Sequence, residues 1–573
     1  MLTRRMRSTR VVVLCTLRLL PAIALLVLPL RPLSVQAQSV TSKIAPALQT
    51  LMTASPTKML PVIVEVSEAT PPFTAGVNVT LANQALSILQ ANGQPVGPLP
   101  IVDGAAGWAN AAGINAMSLL SQVSEIDLDA TVQPHKPSTI ETSNYLGTPG
   151  SMYVQEVNGN QVWSQGDSGQ GITVAVLDSG VNNDPDLVHS SNRILARASF
   201  AGPRNPNMLD PGGHGTHIAG IIAGDGTNSA GQFVGMAPRA NIVDVQVLDA
   251  NGNGRLSSIL AGLNWVLTNQ AAYNIRVVNL SFGAVPQGSY ITDPVAAGVE
   301  IAWRRGLVVI VAAGNGGPSS GTVDTPGIDP YAITIGSTDD QGQLNLAYDL
   351  VGWWSAYGTP PNSTAKPDLV APGRRVVSLY VAGSTLSALL PSHVVTANNG
   401  STYFRLTGTS MSTAVASGAV ALMLQHQPGL TPDQVKKILM STTQAFGQSE
   451  PAPPAGSFGT GLVNSLAATN GTASGPANLG LIPSNDFAET LYPAIYGQPL
   501  AWKNPTYMGL AWTTLTWATL SWTSPAWDNY VWDDVAWNNV AWNNIAWDNI
   551  AWDNIVWDQS GWDNIVWDNI AWD

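Results

Sequence analysis

Short apolar runs alternate with helix-like patterns across residues 145–470. The runs with the length of buried strands are Ile172–Leu177, Ile242–Leu248, Val277–Leu280, Leu307–Ala312 and Ala332–Ile335. The stretches with helical periodicity are His217–Ala223, Ser257–Asn269, Pro294–Arg304 and Ser412–His426. Because buried strands separated by helices form parallel βαβ units, the pattern predicts an α/β fold, a three-layer sandwich around a mostly parallel central sheet.

Residues 38–140 have strand and helix patterns of their own. Val62–Val66 reads as a buried strand and Ala82–Gln90 as a helix, and Val123–Val132 precedes the Pro-rich stretch Gln133–Pro137. Because proline-rich segments interrupt regular structure, we expect a domain boundary between this segment and residue 145.

The first 37 residues have the pattern of a cleavable export signal. Several Arg residues precede the apolar run Leu19–Leu30, and the small-residue exit Val35–Ala37 follows it. Arg18 and Arg31 keep the run shorter than the ~20 residues that span a bilayer, so a signal is favoured over a transmembrane anchor. We therefore expect a secreted or cell-surface protein, with Sec or twin-arginine export left open.

Residues 471–500 are rich in Gly, Pro, Asn and Ser and read as a linker, and residues 501–573 are a repeat. In the repeat, Trp recurs every five residues from Trp512 to Trp572, in units such as Ala-Trp-Asp-Asn-Ile. A period of five matches neither a helix nor a strand. It fits a β-solenoid with one repeat per side, and a disordered adhesive tail fits equally well. We expect this tail to bind the cell surface or to self-associate.

Composition excludes several classes of function. The formal net charge of -13 leaves no basic surface for nucleic acid. The only cysteine, Cys15, lies in the signal, so the mature chain has no disulfide and no thiol nucleophile.

Four polar residues lie where an α/β fold places its chemistry. Asp178 and Asn315 follow buried strands, while His214 and Ser410 lie at the starts of predicted helices. Ligands of open parallel sheets bind beyond the carboxyl ends of the strands, so these residues are candidates for one site. Each has an ordinary interpretation when taken alone, as a helix cap or a turn residue.

His214 and His217 could also hold a metal ion. Nothing near them in the sequence supplies the further ligand of the usual hydrolytic zinc motifs. We therefore interpret His217 as a packed structural histidine.

In the chain order Asp, His, Asn, Ser, these motifs resemble the subtilase family of serine proteases. The segments Lys366–Gly373 and Gly459–Asn464 match the family as well, and the resemblance covers about residues 145–470. It implies a serine endopeptidase acting on protein or peptide substrates, with Asp178, His214 and Ser410 as catalytic triad and Asn315 as oxyanion donor. The implied substrate-binding residues are Gly252, Gly254, Ser281, Phe282 and Gly283.

Residues 60–135 resemble the inhibitory α+β propeptide of the family in topology rather than in motifs. The resemblance therefore implies a zymogen that processes itself near residues 133–150.

The chain departs from the family at two positions near the implied triad. Ala414 replaces the usual Pro after Ser410, and Asn182–Asp184 replaces a turn in which the family often carries His. Neither change removes a catalytic group.

No cofactor is implied for the chemistry, and the family allows structural calcium. Asp186 and the loop Asp225–Gly231 are oxygen-rich candidates, although a solvated turn explains them equally well. The rival interpretation is a catalytically silent surface protein whose tail does the binding.

Overall fold

The computed structural model describes residues 43–67, 77–134, 150–189, 191–447, 453–478 and 481–485. The predicted signal at 1–37 and the repeat at 501–573 lie outside the described residues. All described residues belong to one compact unit that begins at Ser42. Within them, no helix combines the length and the apolar character needed to cross a membrane.

The strands, in chain order, are β1 (Leu60–Val66), β2 (Gln94–Leu99), β3 (Gly104–Ala109), β4 (Val123–Leu128), β5 (Thr131–Pro134), β6 (Thr173–Asp178), β7 (Ile194–Ser199), β8 (Asn241–Gln246), β9 (Gly254–Arg255), β10 (Ile275–Leu280), β11 (Phe282–Gly283), β12 (Val308–Ala312), β13 (Ile333–Asp339), β14 (Leu350–Val351), β15 (Leu369–Pro372), β16 (Val376–Leu379), β17 (Val394–Thr396) and β18 (Thr402–Leu406). The helices are α1 (Pro46–Ala54), α2 (Val79–Asn92), α3 (Ala111–Ser118), α4 (Met152–Glu156), α5 (Gly159–Trp163), α6 (Pro185–Val188), α7 (His214–Ala223), α8 (Leu256–Tyr273), α9 (Pro294–Arg304), α10 (Thr385–Leu389), α11 (Thr409–His426), α12 (Pro432–Ser441) and α13 (Ser465–Thr469).

An eight-stranded sheet forms the centre of the described chain. Its order is β14-β13-β12-β10-β6-β8-β7, with β15 also paired to β13. Every pair is parallel except β13 with β14. Helices α7 and α11 pack against each other on the sheet, and α8 and α9 form a second packed pair. The predicted α/β sandwich is confirmed.

The strands of this sheet are apolar because helices cover both faces. All side chains of β6, β10 and β12 are buried except that of Arg276. Such strands appear in the sequence as continuous apolar runs rather than as alternating patterns, and this is why they could be predicted from the sequence.

The N-terminal unit, residues 43–134, is built on a four-stranded antiparallel sheet of order β2-β3-β1-β4. Helices α1, α2 and α3 bury Leu48, Leu89 and Ile114 against one face. The opposite face places Ile63 and Ala106 in the same core as the residues of the central sheet.

The last strand of the N-terminal unit leaves this sheet. β5 lies between β9 and β11 in a separate three-stranded sheet, antiparallel to both. Asp129, just before β5, accepts hydrogen bonds from the amide and the hydroxyl of Ser257 at the start of α8. The apolar stretch 123–132 is therefore two strands, separated where Asp129 accepts from the Ser257 amide at a helix N-terminus.

Candidate active site

Asp178 and His214 meet because a strand end faces a helix start. Asp178 is the last residue of β6, and His214 is the first residue of α7. Gly213 caps that helix at φ 88°, a left-handed conformation that favours glycine, and a Cβ there would lie 2.5 Å from the Ser384 hydroxyl. The His214 Nδ1 atom lies 2.8 and 2.9 Å from the two Asp178 carboxylate oxygens.

This contact leaves the other ring nitrogen of His214 available. Nδ1 faces a carboxylate, so it carries the proton in the neutral ring, and Nε2 is the basic atom. Nε2 is buried and has no hydrogen-bond partner among the described residues. A buried imidazole nitrogen without a partner is suited to accept a proton from a nearby hydroxyl.

The environment of His214 raises its pKa. Burial acts to lower the pKa, but the charge and hydrogen bond of Asp178, with the charge of Asp210, outweigh it. Asp210 is itself fully buried and accepts hydrogen bonds from Ser179, Gly213 and Thr216. The motifs described above do not include Asp210. In the sequence, only its place four residues before His214 indicates that it lies near the site.

Ser410 is the second residue of α11 and is almost completely buried. Its hydroxyl donates to the Ser281 carbonyl at 2.9 Å, and the Ser281 hydroxyl donates to the Ser410 carbonyl at 3.0 Å. Asn279, at the end of β10, donates in turn to the Ser281 hydroxyl at 2.8 Å. The side chain of Ser410 is thus oriented by the strand end and not used as an N-cap. The helix forms from Thr409 to His426 although Ala414 stands where the family has Pro.

Asn315 lies beside the start of the same helix. Its carbonyl oxygen accepts hydrogen bonds from the Thr409 amide at 3.0 Å and from the Thr409 hydroxyl at 2.9 Å. These two bonds direct the amide group, and a Cβ at Gly408 would lie 3.0 Å from the Asn315 Nδ2 atom. The donor nitrogen therefore faces the turn that precedes Ser410. Nothing in the sequence indicates that Thr409 orients the Asn315 side chain.

Three of the five residues implied for substrate binding pair with β5. Phe282 pairs with Pro134, Gly283 with Gln133, and Gly254 with Val132. Ser281 instead contacts Ser410, as described above. Gly252 lies in a turn at φ 77°, where its amide donates to the Asp249 carbonyl at 3.0 Å.

His217 packs away from this group. Its Nε2 atom lies 3.2 and 3.1 Å from the Val376 and Phe404 carbonyls, and burial lowers its pKa to about 3. The ring is therefore neutral, with the Nε2 proton shared between two carbonyls. Asp178 occupies the His214 Nδ1 atom, so the two histidines do not face a common metal position.

The two acidic residues first considered for calcium, Asp186 and Asp225, both contact protein groups. The Asp186 carboxylate accepts from the Asn228 amide at 2.6 Å and from the Tyr403 hydroxyl at 2.7 Å. Arg193 lies 3.8 Å from Asp225 and supplies positive charge there. Calcium binding at this loop therefore stays a prediction.

Comparisons with known proteins match the part of the chain that carries these residues. A profile of the subtilase family matches residues 169–471. Serine protease AprX of Bacillus subtilis is 38% identical over 52% of this chain, and the match spans 66% of its own length. An alkaline protease of Alkalihalobacillus alcalophilus is 33% identical over 62% of this chain and 76% of its own length. Fervidolysin from Fervidobacterium pennivorans, a keratinolytic enzyme, shares the fold at a TM-score of 0.54 and 23% identity, over 73% of this chain and 62% of that one.

Proposed function

The chain belongs to the subtilase family of serine endopeptidases, and we propose that Asp178, His214 and Ser410 hydrolyse peptide bonds through an acyl-enzyme. His214 Nε2 takes the proton of the Ser410 hydroxyl while Oγ forms a bond to the scissile carbonyl carbon. The same proton passes to the leaving amine as the peptide C–N bond breaks. Water then releases the acyl group by the reverse proton transfers. The hydrogen bond between His214 and Asp178 at 2.8 Å is the observation that carries this proposal.

Asn315 and the Ser410 backbone amide are proposed to stabilise the oxyanion. Thr409 binds the carbonyl end of the Asn315 side chain, so the amide nitrogen is the end proposed to donate to the charge that develops in the transition state. The start of α11 adds the positive end of a helix dipole on the same side.

Asn315→Ala is expected to lower kcat by about 10²–10³ and to leave KM nearly unchanged. The reason is that the amide donates to an oxyanion present only in the transition state. Steady-state kinetics on a peptide substrate measures both constants. Thr409→Ser keeps both hydrogen bonds to Asn315 and serves as the control. Full turnover in Asn315→Ala would show that Asn315 is only a turn residue.

The N-terminal unit is proposed to be an inhibitory propeptide. Its strand β5 occupies the position between β9 and β11 in which an extended substrate would add a strand. Phe282, which pairs with Pro134, directly follows Ser281, the residue that contacts Ser410. The peptide bond cleaved in self-processing is therefore proposed to lie within a few residues of Pro134, inside the 133–150 region.

We also propose that the enzyme is secreted and that the tail has a role separate from peptide hydrolysis. The signal pattern in residues 1–37 supports export, and the repeat at 501–573 supports attachment to a surface or self-association. Protein or peptide substrates suit a cleft that pairs with an extended strand. The chemistry requires no cofactor.

A Ser410→Ala chain tests the proposed chemistry directly. It is expected to fold, to lose all peptide hydrolysis and to stay uncleaved near residue 134 when it is made without other proteases. The parent enzyme is expected to react with a fluorophosphonate at Ser410, located by mass spectrometry of the labelled peptide. Ser412→Ala, at a neighbouring buried serine of the same helix, is the matched control and keeps the label. An active or labelled Ser410→Ala chain would refute the assignment, and a mature parent that takes no label would favour the silent surface protein.

A further inference from the structure

The segment that leads into β5 binds the start of α8 through its main chain. The Leu256 amide donates to the Ala130 carbonyl at 3.1 Å, and the Arg255 guanidinium donates to the Asp129 carbonyl at 2.9 Å. These bonds continue the pairing of β5 with β9 back to Asp129. An extended substrate that takes the place of β5 can make the same bonds, because they involve only its carbonyl groups.

The Asp129 side chain adds a contact that depends on its chemistry. One carboxylate oxygen accepts from the Ser257 amide at 3.0 Å, and the other accepts from the Ser257 hydroxyl at 2.8 Å. Asp129 is only 4% exposed, and the positive charge of Arg255 acts on its carboxylate. An amide side chain has one acceptor oxygen and no charge, so it reproduces only part of this contact.

Helices α8 and α9, which both contact the N-terminal unit, begin in different ways. The first turn of α9 has a cap from its own chain, because Asp293 accepts from the Val295 and Ala296 amides at 2.9 and 3.1 Å. The residue that precedes α8 is Arg255, whose side chain makes no cap. The start of α8 is therefore positive in charge and binds its carboxylate from another segment.

We propose that Arg255 and Ser257 form a substrate subsite for an acidic residue in the enzyme freed of its N-terminal unit. The substrate carboxylate takes the place of the Asp129 carboxylate, three residues before the side chain in the Val132 position. This inference rests on the proposed function, because the subsite is accessible only after the N-terminal unit has left. The subsite selects protein or peptide substrates that carry an acidic residue several positions before the scissile bond.

Removal of the N-terminal unit favours a charged ligand at this position. In the precursor, burial raises the pKa of Asp129, while the hydrogen bonds from Ser257 and the charge of Arg255 act to lower it. Two groups of the N-terminal unit contribute to the covering: the Pro61 carbonyl accepts from the Asp129 amide at 3.1 Å, and the Trp108 ring lies 4.8 Å from the Arg255 guanidinium carbon. A short peptide lacks both groups, so its carboxylate keeps more water while the donors stay the same.

The test uses the self-processed enzyme, separated from its N-terminal unit, with two pairs of peptides. The first pair are inhibitors with the sequence of residues 128–134, carrying Asp or Asn at the position of Asp129. Inhibition is measured on the hydrolysis of an unrelated short peptide, and the Asp peptide is expected to bind about 10-fold more tightly. The second pair are quenched fluorescent substrates of residues 128–140 that differ in the same way. Their difference is expected in KM rather than in kcat, because the contact is the same in the ground state and in the transition state.

Variants of Ser257 identify the donors of the subsite. Ser257→Ala removes the hydroxyl and keeps the amide, so the preference for Asp over Asn is expected to fall to about 3-fold. Ser257→Asp is expected to abolish or reverse the preference, because its carboxylate repels an acidic ligand while it stabilises the start of α8. Ser258→Ala, which changes the next serine of the helix, is the matched control and keeps the full preference. The ratio of the two peptides within one variant cancels any change in the chemistry itself.

Two results would overturn the acidic subsite and leave the proposed function intact. The first is an enzyme that hydrolyses the short peptide but binds the Asp and Asn peptides equally, which would confine the role of Asp129 to the precursor. The second is a preference for Asp that both Ser257→Ala and Ser257→Asp leave unchanged. An enzyme that hydrolyses no peptide, the short one included, would instead refute the proposed function and the subsite with it.

Discussion

Asp210 is a residue outside the proposed triad whose charge acts on His214. Burial raises its pKa to about 6, so it is charged at neutral and alkaline pH. Its hydrogen bonds to Ser179 and to the amides of Gly213 and Thr216 hold it under the first turn of α7. There its negative charge helps to keep the His214 imidazolium stable.

Asp210→Asn is expected to move the acid limb of the kcat/KM profile to lower pH. The sign follows from the proposed base role of His214, which must be neutral to accept a proton. Removal of a negative charge lowers the pKa of His214, so the neutral form persists at lower pH. The measurement is kcat/KM against pH on a peptide substrate that does not titrate. Ser179→Ala, which removes two hydrogen bonds but no charge, is expected to leave the limb in place. An unmoved limb in Asp210→Asn would assign Asp210 a purely structural role.

Some residues of the candidate site could be identified from the sequence, and others could not. Asp178 and His214 lie at a strand end and a helix start, which are local features that a short window reveals. Asp210 and Thr409 could not be identified in this way. Their contacts with Ser179 and Asn315 join residues that lie far apart in the sequence.

At the scale of elements, β5 is the strand with the most direct bearing on activity. Val132 in β5 is 1% exposed and belongs to the same core as the central sheet and its helices. It pairs with Gly254, where a Cβ would approach the Val132 side chain to 3.0 Å. The fit of this strand combines backbone pairing with buried apolar surface.

Val132→Asp is expected to weaken inhibition by the N-terminal unit at least ~10-fold, because the variant forfeits the burial of a Val side chain and buries a charge instead. Activity on a small peptide is followed after self-processing, and the variant should reach full activity sooner than the parent. Gln133→Ala, at the exposed neighbour in the same strand, should behave like the parent. Equal delays in Val132→Asp and the parent would mean that β5 does not limit access to the cleft.

Element boundaries were harder to predict than element types. The helix expected at Ser257–Asn269 runs from Leu256 to Tyr273 and ends where Asn274 adopts a left-handed conformation. That signal, a single Asn, is also common in loops, so the sequence alone does not single it out as a helix end. The split between β4 and β5 depends on Asp129 reaching α8, which is a tertiary contact and has no local pattern.

At the scale of the whole molecule, the folded unit extends beyond the family match, which ends at residue 471. Part of the segment read as a linker packs against the sheet and its helices. The Tyr331 hydroxyl donates to the Leu481 carbonyl at 2.9 Å, and the Tyr290 hydroxyl donates to the Ile482 carbonyl at 2.7 Å. The Ser484 amide and hydroxyl both donate to the buried carboxylate of Glu300.

Two truncations therefore have different expected outcomes. A chain that ends at residue 485 lacks the Trp repeat but keeps these contacts, so its kcat/KM and Tm are expected to equal those of the full enzyme. A chain that ends at residue 471 leaves the Glu300 carboxylate buried without the two Ser484 donors. Each lost donor costs about 1–3 kcal/mol, so Tm is expected to fall by roughly 3–10 °C.

Thermal unfolding is measured on both truncated chains carrying Ser410→Ala. Peptide hydrolysis is measured on both truncated chains in the active form. Ser484→Ala in the full chain keeps the amide donor and should show a smaller fall than the shorter truncation. An inactive chain ending at 485 would make the repeat part of the catalytic unit, whereas equal Tm values for the two truncations would mean that residues 472–485 add no stability.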